Sequence, residues 1–290
     1  VEVTLRTDTS NRGTFLAGIA AAGAILGSPR AVRADDTLRI AFIPEVGATP
    51  QSIAEKKPVV DYLESHLKRK INLLIPQNYA ATVTAIGSGT VDFAHFGGLT
   101  YVIARKHYGI IPLVQRVEDK QFHSLFICNA ANGGLNSIAG LKGKSFAFGD
   151  VASTSGHLIP AKDMYEAKID PEKDITARFT GNHPATAIAV SSGQVDAGAL
   201  DESVYRSMLA SKAIDPAKAR VFHTSEPFVD YVWAARKDLD APTMSAIRDA
   251  FLNLIDPQVL AVLRASKYVV AFDQEYGGIR ATADRLKLLS

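Results

Sequence analysis

Tyr79-Ala-Ala-Thr-Val-Thr-Ala-Ile-Gly-Ser-Gly-Thr-Val-Asp92 and His183-Pro-Ala-Thr-Ala-Ile-Ala-Val-Ser-Ser-Gly-Gln-Val-Asp196 align without a gap at an offset of 104 residues. Each copy reads as a helix, a Ser-Gly stop, and a Val-Asp pair opening a strand. An internal period about one domain long points to two similar units in tandem. Working outward, short strand patterns recur at 38–43, 71–75, 91–94, 146–148, 195–199 and 220–222, with helical patterns at 58–67 and 80–86. Alternating strand and helix predicts an α/β chain of parallel sheets with right-handed crossovers. In open sheets of this class ligands bind at the carboxyl ends of the strands, where helix N-termini point. Tyr79 and His183 start equivalent helices, so a cleft between the units would set them face to face. Gly97-Gly98-Leu99-Thr100 and Ser153-Thr154-Ser155-Gly156 begin the other helices at that edge.

The chain has 290 residues, 47% hydrophobic and 21% charged, with a formal charge of +2. That composition describes a globular chain. Its longest basic block is Lys68-Arg69-Lys70, and no aromatic residues interleave with basic ones, so nucleic acid is excluded as an expected partner. The first 34 residues stand apart. Arg12 precedes an apolar run from Phe15 to Leu26, and Ala31-Val32-Arg33-Ala34 offers a small-residue cleavage site. This is the layout of a secretory signal, too short in its apolar part to span a bilayer. Asn11-Arg12-Gly13-Thr14-Phe15-Leu16 resembles a twin-arginine motif with glycine in place of the second arginine, which leaves the export route open. Cleavage after Ala34 would remove four basic and two acidic residues and leave a mature chain of net charge zero. Affinity for an anion must then come from a local site and not from the overall field.

Ser153-Thr154-Ser155-Gly156 supplies the local chemistry for such a site. Unpaired amides in the first helical turn, the hydroxyls and the helix dipole together make an anion cradle that needs no lysine. A Ser/Thr cluster also serves as a plain cap, and the spacing is not that of a nucleotide-binding phosphate loop. His183, before a proline at the helix start, either caps or donates to an anion. Asp201, just beyond a strand, either accepts from a ligand hydroxyl or amine or is a surface acid. Cys128 is the single cysteine, so no intramolecular disulfide forms. It reads as a small core residue or as a soft ligand reaching the cleft. No G-x-S-x-G, H-E-x-x-H or cysteine pair occurs, so neither an enzyme, a cofactor nor a metal site is expected.

These residues resemble the periplasmic phosphonate-binding components of ABC importers and their phosphite- and phosphate-binding relatives. The resemblance rests on Phe146-Ala-Phe-Gly-Asp-Val-Ala-Ser-Thr-Ser-Gly-His-Leu-Ile-Pro160, on Gly181-Asn-His-Pro-Ala-Thr-Ala187, and on Val195-Asp196 with Asp201 beyond. It implies a type II periplasmic binding protein: two lobes, each a mainly parallel sheet flanked by helices, joined by two crossing strands near 124–129 and 228–234. One lobe would comprise 35–124 with 234–290, the other 125–233, after a signal peptide at 1–34. The implied ligand residues are Tyr79, Ser153, Thr154, Ser155, His183 and Asp201, with Thr100 reaching from the first lobe. The family commonly has tyrosine where Phe96 stands, a change that removes a donor. The implied ligand is a small oxyanion, the implied partner a membrane permease. Similar proteins sense arsenite for a membrane histidine kinase, and Phe96 with Cys128 motivates that alternative.

Overall fold

The computed structural model describes residues 37–130 and 133–289. The signal-peptide expectation for 1–34 lies outside them. Among the described residues, eleven strands build two sheets. The first takes β1 (Thr37–Phe42), β2 (Lys70–Leu74), β3 (Phe93–Phe96) and β4 (Ile111–Arg116). The second takes β5 (Ser124–Asn129), β6 (Ser145–Phe148), β7 (Thr176–Phe179), β8 (Ala197–Asp201) and β9 (Ala219–Thr224). The chain then returns to the first sheet with β10 (Val232–Ala235) and β11 (Tyr268–Val270). The spatial orders are β11-β4-β10-β3-β1-β2 and β7-β6-β8-β5-β9.

Both sheets follow one plan. β1 is parallel to β2 and β3, and β6 is parallel to β7 and β8. The strands that enter right after a passage between sheets are central and antiparallel: β5 between β8 and β9, β10 between β3 and β4. The parallel strands end at the cleft, so a chain arriving from the other lobe enters at those carboxyl ends and must run the opposite way. Accordingly Ser124, first in β5, pairs with Asp201, last in β8, and Val232, first in β10, pairs with Phe96, last in β3. The two passages, 117–123 and 225–231, are tied together by Phe122 and Phe228, which exchange backbone hydrogen bonds of 2.9 Å in each direction.

Central strands are sealed on both faces. The face of β1 carrying Leu38, Ile40 and Phe42 packs with Val59, Leu63, Trp233 and Phe251. Ala41, on its other face, joins Phe96, Leu99 and Tyr276. In the second lobe Leu125 and Ile127 face one cluster, Phe126 and Cys128 the other. Each fully buried Leu, Ile or Phe contributes about 1.5–3 kcal/mol to stability. β7 is exposed along its whole length, an edge strand with no alternation of burial.

The repeat has a physical role in both copies, and it shifts two expected strands. β3 and β8 begin at Phe93 and Ala197, immediately after the Val-Asp pairs read as opening them. Each aspartate instead ties the start of its strand to the neighbouring one. Asp92 accepts from the Arg39 amide (2.8 Å) and guanidinium on β1. Asp196 accepts from the Ser145 amide (2.9 Å) and hydroxyl (2.7 Å) on β6.

Candidate functional site

The repeated helices Tyr79–Gly87 and His183–Ser191 start alike. Asn78 and Asn182, both in extended backbone, accept from the third helical amide, Ala81 at 2.8 Å and Ala185 at 2.9 Å. An asparagine cap is worth about 1 kcal/mol. It also aims the first side chain of each helix across the cleft. Tyr79 Oη and His183 Nε2 meet at 3.2 Å, and both residues are buried. The Asp201 amide donates to His183 Nδ1 at 3.3 Å, which places the imidazole proton on Nε2. Tyr231 Oη lies 3.4 Å from Nε2 and donates its own proton to Asp201 Oδ2 at 2.8 Å. Burial lowers the His183 pKa, so the ring is neutral at pH 7. Burial, with the carboxylates Glu45, Asp150 and Asp201 around it, lifts Tyr79 well above the ordinary phenol value. Tyr79 therefore keeps its proton, and with Nε2–H as the donor between the two rings that proton is free for a third group.

The turn after β6 is wider than an α-helix. Ser153 caps it by accepting from Gly156 N at 3.0 Å, and the Leu158 amide reaches back five residues to the Ser153 carbonyl at 3.0 Å. Such π-type turns leave the amides of their first turn without intrahelical acceptors. A close backbone approach holds the turn in place, since Gly149 N donates to the Gly156 carbonyl at 2.8 Å. A Cβ on Gly156 would lie 2.9 Å from Ser153 Oγ, 3.1 Å from Gly149 Cα and 3.2 Å from His183 Cε1, so only glycine fits.

From the first lobe, the helix Gly98–Tyr108 presents its N-terminus to this turn. Its free amides are taken by side chains from elsewhere: Gly98 N donates to Asp230 Oδ1 at 2.8 Å and Leu99 N to Thr154 Oγ1 at 3.0 Å. The Thr154 hydroxyl also hydrogen-bonds to the Asp230 carboxyl. Burial raises Asp230 to about 8, with those two hydrogen bonds only partly opposing it. Asp230 is thus a neutral acid at pH 7. With Oδ1 occupied, its proton sits on Oδ2, which has no partner among the described residues. Ser155 Oγ is likewise buried without a partner, while the Ser155 carbonyl accepts from Ser124 Oγ at 2.6 Å. With the free Tyr79 proton, three hydroxyl-type donors are therefore buried at the lobe junction with no acceptor among the described residues. Orphans of that kind cost about 1–3 kcal/mol each.

Behind them lies a second group of ionisable residues. His95 on β3 stacks on Tyr231, with centroids 5.0 Å apart and planes 6° apart, and burial lowers its pKa to about 3. Glu45, following β1, pairs with Arg264. Burial pushes its pKa up, but the field of Arg264, joined by His95, Lys56 and Arg116, holds it below the usual carboxylate range. Arg116 is bidentate to Asp119, at 2.8 and 2.5 Å. Arg116 and Arg264 are each paired with a carboxylate, while the Lys56 ammonium lies over the Phe42 ring, 4.9 Å from its centroid. What it offers an anion is oriented dipoles and donors.

The structure places the expected residues unevenly. Tyr79, Ser153, Thr154, Ser155 and His183 converge, but of these only Ser155 keeps a hydroxyl with no partner among the described residues. Thr100 is buried and gives its proton to the Gly97 carbonyl at 2.9 Å. Asp201 is fully buried: Oδ1 accepts from Val204 N (2.8 Å) and Ser203 Oγ (2.7 Å), and Oδ2 from Tyr231. It orients Tyr231 and His183, contrary to the expectation that it accepts from a ligand. Phe96 is a correction too. It alternates with His95 on β3 and points into the apolar cluster of Leu99, Leu158 and Val232. Cys128 is the third correction. It is four residues along β5 from Ser124, roughly 13 Å, and packs among Leu135, Phe146 and Met164 with its thiol 3.8 Å from the Leu135 carbonyl. Both faces of β5 carry core clusters, and Cys128 lies at the end of the strand away from the cleft, so no thiol reaches the cleft. Glu45, His95, Asp230 and Tyr231 escaped the sequence reading. The signal was available, since Asp230 interrupts the apolar run from Pro227 to Ala235 and His95 interrupts Phe93–Phe96. A polar residue inside a buried run must have partners.

Comparison with known proteins gives this geometry its family. The profile of the family described as "ABC transporter, phosphonate, periplasmic substrate-binding protein" matches residues 42–276. A probable ABC transporter phosphite-binding protein, PhnD1 of Prochlorococcus marinus (strain MIT 9301), is 30% identical over 267 residues, covering 83% of this chain and 89% of that protein. The phosphate-import protein PhnD of Mycolicibacterium smegmatis (strain ATCC 700084 / mc(2)155) is 28% identical, covering 74% of this chain and 71% of its own. Among solved structures, PhnD1 in complex with methylphosphonate superposes with a TM-score of 0.81 at 29% identity, covering 87% of this chain and 98% of that one. Two repeated α/β lobes, antiparallel crossing strands and a hydroxyl-rich turn facing a helix N-terminus all accord with these matches, and the chain belongs to the phosphonate periplasmic substrate-binding family of ABC transporters.

Proposed function

We propose that this chain captures a small phosphorus oxyanion (a phosphonate, phosphite or phosphate) and presents it, lobes closed, to the permease of an ABC importer. The observation that carries the reading is the pair of buried polar atoms, Ser155 Oγ and Asp230 Oδ2, that have no partner among the described residues. They stand beside the helix-start amides of Thr154 and Ser155. The ligand docks on these donors, and His183 and Asp201 act by fixing Tyr79 and Tyr231. Residues 35–116 with 232–290 form one lobe and 124–224 the other, swinging about the passages 117–123 and 225–231. Export removes 1–34 after Ala34, so binding takes place in the periplasm, without chemical change to the ligand. Arsenite sensing gains no support, because the Cys128 thiol is enclosed in the core.

Isothermal calorimetry with phosphate, phosphite, methylphosphonate, 2-aminoethylphosphonate and sulfate, on wild type and Ser155→Ala, tests the proposal. Wild type should bind at least one phosphorus oxyanion in preference to sulfate. Ser155→Ala should lose about 1.5–3 kcal/mol, the usual worth of a hydrogen bond to a charged group. Undiminished affinity in the variant would remove the turn from the site.

A further inference from the structure

Arg264 occupies an unusual place. It ends the helix Pro257–Leu263 in the left-handed region, φ 51°, where a side chain other than glycine is disfavoured. That backbone is held from the passage side: Arg116, paired with Asp119, donates to the Leu263 carbonyl at 3.3 Å and the Arg264 carbonyl at 3.4 Å. The left-handed turn sends the guanidinium inward, where it pairs with Glu45 of its own lobe. Its remaining Nε–H crosses to the other lobe and donates to Ser203 Oγ at 3.1 Å. Ser203 passes its own proton to Asp201 Oδ1 at 2.7 Å, and Asp201 holds Tyr231 and His183 as described. Glu45 reaches across as well, its carbonyl accepting from His183 N at 3.2 Å.

We propose that Arg264 is a closure latch, a positioning residue that never touches the ligand but sets how long the lobes stay shut, through its bond to Ser203. The inference rests on the binding reading above. Opening would break the Arg264–Ser203 bond while leaving the Glu45–Arg264 pair intact within the first lobe. The guanidinium therefore keeps a counter-charge in both states, and opening merely exchanges one charge-assisted hydrogen bond for water. A latch of that kind shortens or lengthens the closed state without trapping the cargo. Its removal should accelerate ligand release about ten-fold, equal to about 1.4 kcal/mol, and leave association unchanged because encounter takes place with the open form.

Ser203→Ala removes the bond and leaves the buried ion pair undisturbed, which Arg264→Gln would not. Stopped-flow kinetics with methylphosphonate should give a dissociation rate about ten-fold faster and an association rate within about two-fold of wild type. Ser203→Thr, which keeps the hydroxyl, should restore slow release. In parallel, single-molecule energy transfer between dyes at Ser65 and Lys212, one on each lobe, should show the closed-state dwell time without ligand shortened to the same extent. Wild-type release and dwell times in Ser203→Ala, or a slowed association with unchanged release, would overturn the latch. If wild type binds none of the phosphorus oxyanions, the binding reading fails, and the ligand-free dwell times still decide for or against the latch.

Discussion

Replacing Asp230 by asparagine should separate the charge of that residue from its shape. The amide keeps an acceptor for Gly98 N, now 2.8 Å from Asp230 Oδ1, and offers an N–H where the acid has its Oδ2–H. Below pH 7 the two side chains present the same neutral donor, and affinities should agree within about three-fold. Above pH 8 they diverge, because the carboxyl, raised by burial to about 8, ionises in the ligand-free protein, and the resulting carboxylate would repel an arriving anion. Binding must then take up a proton, and wild-type affinity falls about ten-fold per pH unit. At pH 9.5 the loss is about thirty-fold, or ~2 kcal/mol, whereas Asp230→Asn takes up no proton at that site. The assay is calorimetric titration with one phosphorus oxyanion from pH 6.5 to 9.5, read as the ratio of wild-type to variant dissociation constants so that the ligand's own ionisation cancels. A ratio independent of pH would refute the argument that Asp230 is a proton-bearing donor in the site.

Other expectations are simpler to read. Because the folded pKa of Asp230 lies above its unfolded value, the folded state holds that proton more tightly. Its contribution to stability is complete below about pH 4 and is lost as pH rises to about 8. Urea melts across that interval should show Asp230→Asn losing a slope of about 1.4 kcal/mol per pH unit that wild type has. Gly156→Ala should cost about 1–3 kcal/mol of stability by overpacking against Gly149 and Ser153, and calorimetry should find its ligand affinity reduced, since the same methyl presses on His183; an unperturbed variant would mean the turn is not held as described. Cys128→Ser should leave oxyanion affinity within about two-fold while lowering stability by about 1–2 kcal/mol, the cost of a hydroxyl in an apolar cluster. A large loss of ligand binding in that variant would contradict the placement of Cys128 in the core.

The repeat 79–92/183–196 and the alternation of strand and helix were enough to read the α/β class, the doubling of the unit and the equivalence of Tyr79 and His183. Helix periodicity, caps and stops act over a few residues and so are written locally. The hydroxyl turn at Ser153–Ser155 was legible for the same reason, being a short segment whose chemistry is its own. What only the tertiary structure decided depends on partners far apart in the chain. Val-Asp looked like the opening of a strand until Arg39 and Ser145, on neighbouring strands, were seen to claim the carboxylates. Asp201 carries the same side chain whether it faces a ligand or caps a helix, and Tyr231, arriving from the second passage, settled which. Phe96 and Cys128 were decided by the core clusters packed on β3 and β5, whose members come from distant parts of the chain. Asp230 became a donor only because burial raised its pKa, and burial is a property of the assembled lobes that no neighbouring residue in the sequence encodes.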